Sequence, residues 1–368
     1  MAQLKYRKSS TTYTCEIYDS IGGAWETAAM VRVGGATKYV PLTSSLGDAK
    51  ATDLRIRKGG TTYAFMSSEP TLSRGVFGGG YGGSGGVNTI QYVTIENTGN
   101  ATDFGDLTVA RYGSGAVSNS SNDRGVFGSG STNVLDYVAI SSAGNATDFG
   151  DPNGTYNYST GVNSNGTNER GLWGGSSSGA NRYNNIQYVT INSAGNATDF
   201  GNLTYSAHLV GGNSNGTNER GLFFGGSNTG TNIICYVTIN STGNAIDFGD
   251  MSYYYKGMAG CSNLTNERGI MGGGMYSSST YYNVIDYVTI NSTGNSSDFG
   301  DLTAAKYEVH ATSNGTNERG VFAGGYNGTS PYYQDVIEYI TINSTGNATD
   351  FGDLNEGLEY PMACSNAA

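Results

Sequence analysis

The chain has 368 residues, a formal net charge of −11 and a high share of glycine, with 58 glycines against 5 prolines. The glycines lack the Gly-X-Y period of collagen, and recurrent β-branched and aromatic runs such as Tyr92–Ile95 argue against a disordered chain. No apolar run approaches the roughly 18 residues of a membrane-spanning helix, so membrane insertion is not expected.

Residues 1–73 are predicted to form a small β-rich module. Leu4–Thr14, Val31–Val40 and Leu54–Phe65 each place two alternating strands around Ser-Ser or Gly-Gly, which is typical of a hairpin. This segment holds nine Lys/Arg and six Asp/Glu, whereas residues 74–368 hold ten and twenty-four, a split of +3 against −14. The acidic part is expected to repel nucleic acid, and the module is expected to anchor the chain on a partner.

Residues 74–368 are built from six copies of one unit. Arg-Gly followed by two apolar residues recurs at spacings of 50, 46, 50, 48 and 51 residues. A period near fifty with several β-rich segments per copy indicates a β-propeller. The second copy predicts four strands, which we letter a to d. They are Tyr112–Val117, Arg124–Phe127, Val134–Ile140 and Ala146–Asp151.

The two ends of the repeat region predict how the ring closes. The last copy supplies an a-like segment within Asp353–Asn366 and then stops, whereas the first b strand, at Arg74, has no convincing a strand of its own. The C-terminal strand is therefore expected to complete blade one. Such closure leaves no free sheet edge, as a propeller requires.

The repeated DFGD element supplies two carboxylates in most copies, for example Asp103 and Asp106. Calcium is an open alternative, but Ca²⁺ takes about six to eight oxygens and the spacing matches neither an EF-hand nor an RTX-type loop. The favoured interpretation is that each Asp caps a turn or pairs with a repeat arginine. The cysteines show neither zinc nor disulfide spacing and are expected to be buried small apolar side chains. They are Cys15, Cys235, Cys261 and Cys364.

The residues predict no catalytic centre, no cofactor and no metal, and hence no enzyme. His208 and His310 occupy non-equivalent positions in their copies, which gives little material for a copper site or a Ser-His-Asp triad. The six repeat arginines occupy the same position in every copy, so they are expected to link blades or to pair with turn glutamates. The arginine cluster of a sialidase is not indicated. The turn glutamates are Glu169, Glu219, Glu267 and Glu318.

The copies differ from one another mainly in two connections, b–c and d–a, while the a–b and c–d turns are nearly constant. Because each strand reverses the chain, both variable connections emerge on one face, which we call the variable face. Its Tyr, Ser, Gly and Asn content is that of antibody paratopes, which predicts ligand binding. The candidate binding residues are Tyr81, Tyr112, Tyr156, Tyr158, Arg182, Tyr183, Tyr205, Tyr253, Tyr254, Tyr255, Tyr276, Tyr281, Tyr282, Tyr326, Tyr332 and Tyr333.

Each copy has an apolar strand ending in Gly-Gly, then a strand with an aromatic residue, then an aromatic residue before a short apolar step. This pattern resembles the kelch family of β-propeller repeats. Gly78-Gly79 occupies the double-glycine position, copy two departs with Gly128-Ser129, and Phe104 stands where the family carries Trp. The resemblance implies an all-β, six-bladed kelch-like propeller with four-stranded blades at 74–368, preceded by the hairpin module at 1–73.

The recurring YVTI and GNATDFGDL segments are similar to repeats in virion adhesins and decoration proteins of tailed bacteriophages. This resemblance implies a tail-fibre or capsid-decoration protein, assembled in the host cytoplasm and displayed on the particle exterior within an oligomeric assembly. Residues 1–73 would attach to other virion proteins, and the variable face would meet a host-surface glycan or protein. Two alternatives are a purely structural component whose variable face is buried against neighbours, and a glycan-active enzyme.

Overall fold

The computed structural model describes residues 73–366 with gaps at 120–122, 129, 155–160, 165–168, 216–218, 228–229, 264–266, 278 and 315–317. Before residue 73 it describes the backbone of six strands. The chain divides into two compact units, Met1–Leu72 and Ser73–Ala368. No helix long and apolar enough to cross a membrane occurs in the part of the chain that is described.

The first unit contains the three predicted hairpins. One pairs with itself as a two-stranded sheet, and the other two share a four-stranded antiparallel sheet. The alternation of apolar and polar residues along the paired strands accounts for these pairings. The strands are Gln3–Lys8, Thr11–Glu16, Thr27–Val33, Ala36–Thr43, Arg55–Lys58 and Thr61–Phe65.

The second unit is a six-bladed β-propeller, as predicted. Each blade is a four-stranded antiparallel sheet in the order a, b, c, d. The inner a strands of successive blades contact one another around a central axis, including those of the first and last blades. Blade one consists of Met362–Ser365, Arg74–Gly78, Thr89–Thr94 and Thr102–Asp106, so the predicted closure by the C-terminal strand is confirmed.

The other five blades follow in chain order, and blade five carries an additional short hairpin in its b–c connection. Blade two is Ala116–Asn119, Arg124–Phe127, Leu135–Ala139 and Thr147–Gly150. Blade three is Gly161–Ser164, Arg170–Ser178, Asn181–Thr190 and Thr198–Ala207. Blade four is Gly211–Ser214, Arg220–Phe224, Thr231–Thr238 and Ile246–Tyr255. Blade five is Ala259–Ser262, Arg268–Gly272, Val284–Thr289 and Ser297–Asp301, with the hairpin Met275–Tyr276 and Thr280–Tyr281. Blade six is His310–Asn314, Arg319–Ala323, Val336–Thr341 and Thr349–Asp353.

The hydrophobic core is divided into six clusters, each lying between two neighbouring blades. Phe104 of DFGD is 2% exposed and packs edge-to-face on Tyr92, with ring centroids 6.0 Å apart. The other five DFGD phenylalanines make the same contact in their own blades. The conserved spacing of Tyr and Phe within each copy therefore builds the seams between blades.

The first glycine of the double-glycine motif makes room for the neighbouring blade. A Cβ at Gly78 would lie 2.6 Å from the ring of Phe127 in blade two, so only glycine fits against that ring. The second glycine, Gly79, has φ 64°, which ends strand b and turns the chain into the b–c connection.

Candidate functional site

The two variable connections pair with each other at one end of the ring. The amide of Tyr81, in the b–c connection of blade one, donates to the carbonyl oxygen of Glu359 in a d–a connection at 2.8 Å. Tyr307 and Tyr326 exchange two such bonds at 3.0 and 2.8 Å. In blades one and six the b–c loop is thereby fastened to the preceding d–a segment, and these connections form part of the variable face.

Several predicted binding residues are exposed on this face. Tyr183 is 38% exposed, and four further tyrosines have larger exposed fractions. Exposed aromatic side chains indicate an interaction surface where they form a contiguous patch. Those four are Tyr253 at 54%, Tyr254 at 56%, Tyr276 at 45% and Tyr332 at 48%.

Other predicted residues have structural surroundings. Tyr255 is 1% exposed and belongs to the core between blades four and five, so its assignment as a surface binding residue was wrong. Tyr205 is partly buried and donates to the carbonyl oxygen of Gly225 at 2.6 Å. Arg182 donates to backbone carbonyl oxygens of its own hairpin. Tyr156 and Tyr158 lie outside the described residues.

Tyrosine rings from blades one, five and six form a continuous chain of contacts on the variable face. Tyr81 contacts Tyr112 and Tyr333 at centroid distances of 5.1 and 5.6 Å. Tyr333 contacts Tyr326 at 5.7 Å. The chain of contacts continues from Tyr326 to Tyr332, Tyr307 and Tyr281. We call this group the tyrosine platform. Tyr253, Tyr255 and Tyr282 form a second, smaller group.

A repeated turn next to the axis was missed by sequence analysis. Just before the inner strands of blades four, five, six and one, the residues Leu209, Gly257, Glu308 and Tyr360 all have φ between 56° and 67°. Their backbones form a chain in which the amides of Gly257, Glu308 and Tyr360 donate to the carbonyl oxygens of Leu209, Gly257 and Glu308, respectively, at 2.8 to 3.0 Å. Left-handed backbone at non-glycine residues is costly and is often found at functional sites.

Two carboxyl groups lie at this turn, and sequence analysis missed both. Glu308 is 2% exposed, and burial raises its pKa well above the usual range, while a hydrogen bond with the Tyr360 hydroxyl works in the opposite direction. Burial raises the pKa of Glu359 to about 7. Burial is the main cause that raises the pKa of Tyr281, Tyr307, Tyr333 and Tyr360, and the charge of Glu359 adds to each of these four increases.

Basic groups adjoin these carboxyls on the side of blades three to five. Burial lowers the pKa of Lys256, and the nearby charge of Glu308 opposes that change. Burial lowers the pKa of His208 to about 4, and the charges of Arg182 and Lys256 lower it further. The charge of Arg182 thus lowers the pKa of both His208 and Lys256. The sequence signal that would have found these residues is the alignment of the d–a segments, in which His208, Lys256 and Glu359 occupy one position.

The constant elements hold blades together. Arg74 lies 4.3 Å from the ring centroid of Tyr92 and donates to the carbonyl oxygen of Ile140 in the next blade at 3.1 Å. The other five repeat arginines do the same with their own tyrosine and the following blade. The repeat arginines thus link blades, through contact with a tyrosine ring in their own blade and a hydrogen bond to a carbonyl oxygen in the next blade.

DFGD serves the same purpose. The amide of Asp106 donates to the Asn145 side chain in the next blade at 3.1 Å, while the Asp103 and Asp106 carboxylates face solvent. Across the described residues, no group of three or more His, Cys, Asp or Glu is placed to hold a metal ion. Cys235, Cys261 and Cys364 are free and buried, and Cys15 lies where side chains are not described.

Similarity to known proteins is confined to the fold. No protein-family model matches the sequence, and no curated protein matches it. The ring resembles YjhT. The two structures share a TM-score of 0.57 and 10% sequence identity, over 70% of this chain and 88% of the YjhT chain. At that identity, the likeness to YjhT shows the propeller fold alone.

The prediction that this chain is not an enzyme was wrong, because it excluded a catalytic activity that the fold does not exclude. The propeller shared with YjhT is a scaffold, and a scaffold can carry a catalytic site as readily as a binding surface. The exclusion also overlooked Glu308 and Glu359, whose raised pKa values are a common property of functional carboxyls. The fold therefore supports neither an enzyme nor its exclusion.

Proposed function

We propose that this chain is a virion protein of a tailed bacteriophage whose variable face binds a glycan or protein on the host surface. One observation carries the proposal: the constant residues are used in the seams between blades, while the residues that differ between blades leave tyrosines exposed on one face. Tyrosine combines a large contact area with few rotatable bonds, which suits recognition. On this proposal the repeats are kelch-like, and residues 1–73 attach the chain to other virion proteins.

The proposal is tested by binding of the labelled full chain to a panel of intact bacterial strains. Tyr253→Ala with Tyr254→Ala removes two of the most exposed rings and spares Tyr255, which the blade core needs. The matched control is Ile246→Ala, which removes an equally exposed apolar side chain next to the constant c–d turn. We expect the tyrosine variant to lose at least about tenfold in cell binding and the control to bind normally.

Two further results decide between the ligand classes. Periodate treatment of the cells abolishes binding to a glycan, whereas protease treatment abolishes binding to a protein. Equal binding by the wild-type chain and the tyrosine variant to every strain would refute the proposal. The alternative of a purely structural role is favoured if a map of the assembled particle shows Tyr253 and Tyr254 covered by neighbouring subunits.

A further inference from the structure

The backbone of Glu359 is bonded to the tyrosine platform. Its amide donates to the carbonyl oxygen of Tyr81 at 3.1 Å and its carbonyl oxygen accepts from the Tyr81 amide at 2.8 Å, which fixes the backbone that carries its carboxyl. The ring centroid of Tyr81 lies 5.6 Å from that of Tyr333, and the charge of Glu359 raises the pKa of Tyr333 after the larger effect of burial. A carboxylate among aromatic rings is therefore a fixed feature of the variable face.

A second carboxyl lies beside it with an unused hydrogen-bonding atom. Glu308 is 2% exposed, and its Oε1 atom has no hydrogen-bond partner among the described residues. The carboxyl lies against Gly257, where a side chain would come within 3.1 Å of Oε1. A buried oxygen without a donor costs free energy in the unliganded protein, so an N–H or O–H donor from outside would be stabilised there.

The charges around this pair differ between its two sides. Lys256 and Arg182 place positive charge on the side of blades three to five, where Glu308 raises and Arg182 lowers the pKa of Lys256 after the larger effect of burial. Glu359 and the exposed Glu356 lie on the connection before blade one and place negative charge on that side. A positively charged group that approaches from blade one is therefore attracted to these carboxylates.

Tyrosine faces in this protein already receive cations. Each of the six repeat arginines lies between 4.2 and 4.6 Å from a tyrosine ring centroid. The negative face of an aromatic ring attracts ammonium and guanidinium groups, and several rings around a carboxylate are a known receptor for organic ammonium ions. The tyrosine platform offers such rings at Tyr81, Tyr307, Tyr326 and Tyr333, which contact one another.

We propose that Glu308, Glu359 and the platform tyrosines Tyr81, Tyr307 and Tyr333 bind an organic ammonium group. Two sources of that chemistry occur on cell surfaces, namely an amino sugar and a choline-type head group. As a statement about the host ligand, this inference rests on the proposed function. As a statement about the site, it is tested on the isolated full chain.

The test is titration calorimetry of the full chain with two pairs of probes. Choline is compared with 3,3-dimethylbutan-1-ol, its uncharged isostere, and glucosamine is compared with N-acetylglucosamine. We expect at least one ammonium probe to bind about tenfold more tightly than its uncharged partner. A preference in the choline pair indicates a quaternary head group, and one in the glucosamine pair indicates an amino sugar. No preference in either pair, or no binding of any probe, would overturn the inference.

Variants locate the binding. Glu359→Gln is expected to abolish the preference for the charged probe, whereas Glu356→Gln removes the same charge from an exposed neighbour and is expected to keep it. The unfolding transition of each variant is measured to confirm folding. Retention of the full preference by folded Glu359→Gln would contradict the assignment.

The pH dependence of choline affinity separates a direct role of Glu359 in binding from a merely structural role. Choline keeps its charge at all pH values, so its affinity follows the ionisation of the protein alone. Since the pKa of Glu359 is raised to about 7 and a cation binds the ionised carboxylate, affinity is expected to rise from pH 6 to pH 8. The titratable groups that face it are Glu308 and the platform tyrosine Tyr307, whose pKa values burial raises, and Lys256, whose pKa burial lowers. An affinity that is constant over this range would count against the site.

Failure of this inference is distinguishable from failure of the proposed function. Binding of the chain to cells without any ammonium preference would leave host recognition in place and remove this site. An ammonium preference without binding to any strain would support this site and refute host recognition.

Discussion

The guanidinium of Arg319 in blade six donates a hydrogen bond of 2.9 Å to the carbonyl oxygen of Ile95 in blade one. The same group lies 4.2 Å from the ring centroid of Tyr339. Every repeat makes this link to the next blade, but here it joins the last repeat to the first. The contact that spaces the blades therefore also closes the ring.

Removing that link should weaken the ring. Arg319→Met is expected to lower the free energy of unfolding by about 1 to 3 kcal/mol, because a cation–π contact and a charge-assisted hydrogen bond are both lost. Arg319→Lys keeps the cation and should lose less. Urea denaturation of the full chain measures both, and an unchanged midpoint for Arg319→Met would show that the contact contributes nothing.

The DFGD glycine should tolerate no side chain. A Cβ at Gly105 would lie 2.5 Å from the carbonyl carbon and oxygen of Gly144 in the next blade, and its φ of 147° also disfavours alanine. Gly105→Ala is expected to destabilise the protein by roughly 2 to 4 kcal/mol. Gly144→Ala is the matched control, since a Cβ there meets nothing within 4 Å. Similar thermal stability of the two variants would refute this account of the seam.

A buried ion pair belongs to blade two, whereas blade one carries uncharged residues at the equivalent positions. Arg111 and Asp136 are both fully buried, with Nη1 and Oδ2 2.7 Å apart. Asp136→Gln leaves the guanidinium without its charge partner and should cost about 3 to 5 kcal/mol. At the positions equivalent to Arg111 and Asp136, blade one carries Leu358 and Gln91. The double variant Arg111→Leu with Asp136→Gln should therefore recover most of the loss, and the pair interpretation is wrong if it is no more stable than the single variant.

His310 should make stability depend on pH. Desolvation at the inner strand lowers its pKa from 6.5 to about 4, so between these values the unfolded chain binds more protons than the folded one. Stability from this group therefore rises as pH rises from about 4 to 6.5 and is lost as pH falls. His310→Gln removes this pH-dependent contribution to the free energy of unfolding. Denaturation of both proteins across this range should show the wild-type advantage growing with pH, and a constant difference would contradict the assignment.

The scaffold could be predicted because each copy repeats the residues that form the seams. The spacing of Arg, the double glycine and DFGD fixed the strands to within a few residues, and the unpaired a-like segment at the C-terminus predicted the closure. The buried Arg111–Asp136 pair was missed, although its signal is present: Asp136 is a polar residue in an otherwise apolar c strand.

The candidate site was predicted only in part, for a physical reason. Tyrosine content located the variable face, but composition cannot separate an exposed ring such as Tyr254 from a buried one such as Tyr255 in the same run. Glu308 and Glu359 stand in segments without a repeated motif. Their approach to the tyrosine platform depends on left-handed turns that become apparent only when the blades are superposed.

Footprinting on cells tests the central claim, that the variable face is the recognition surface. The full chain, bound to a strain that retains it, is exposed to hydroxyl radicals, and the oxidation of each tyrosine is compared with that in the free protein. We predict strong protection of Tyr253, Tyr254, Tyr276 and Tyr332, with no change at Ile246 beside the constant turns. Protection at Ile246 with unchanged oxidation of those tyrosines would contradict the account.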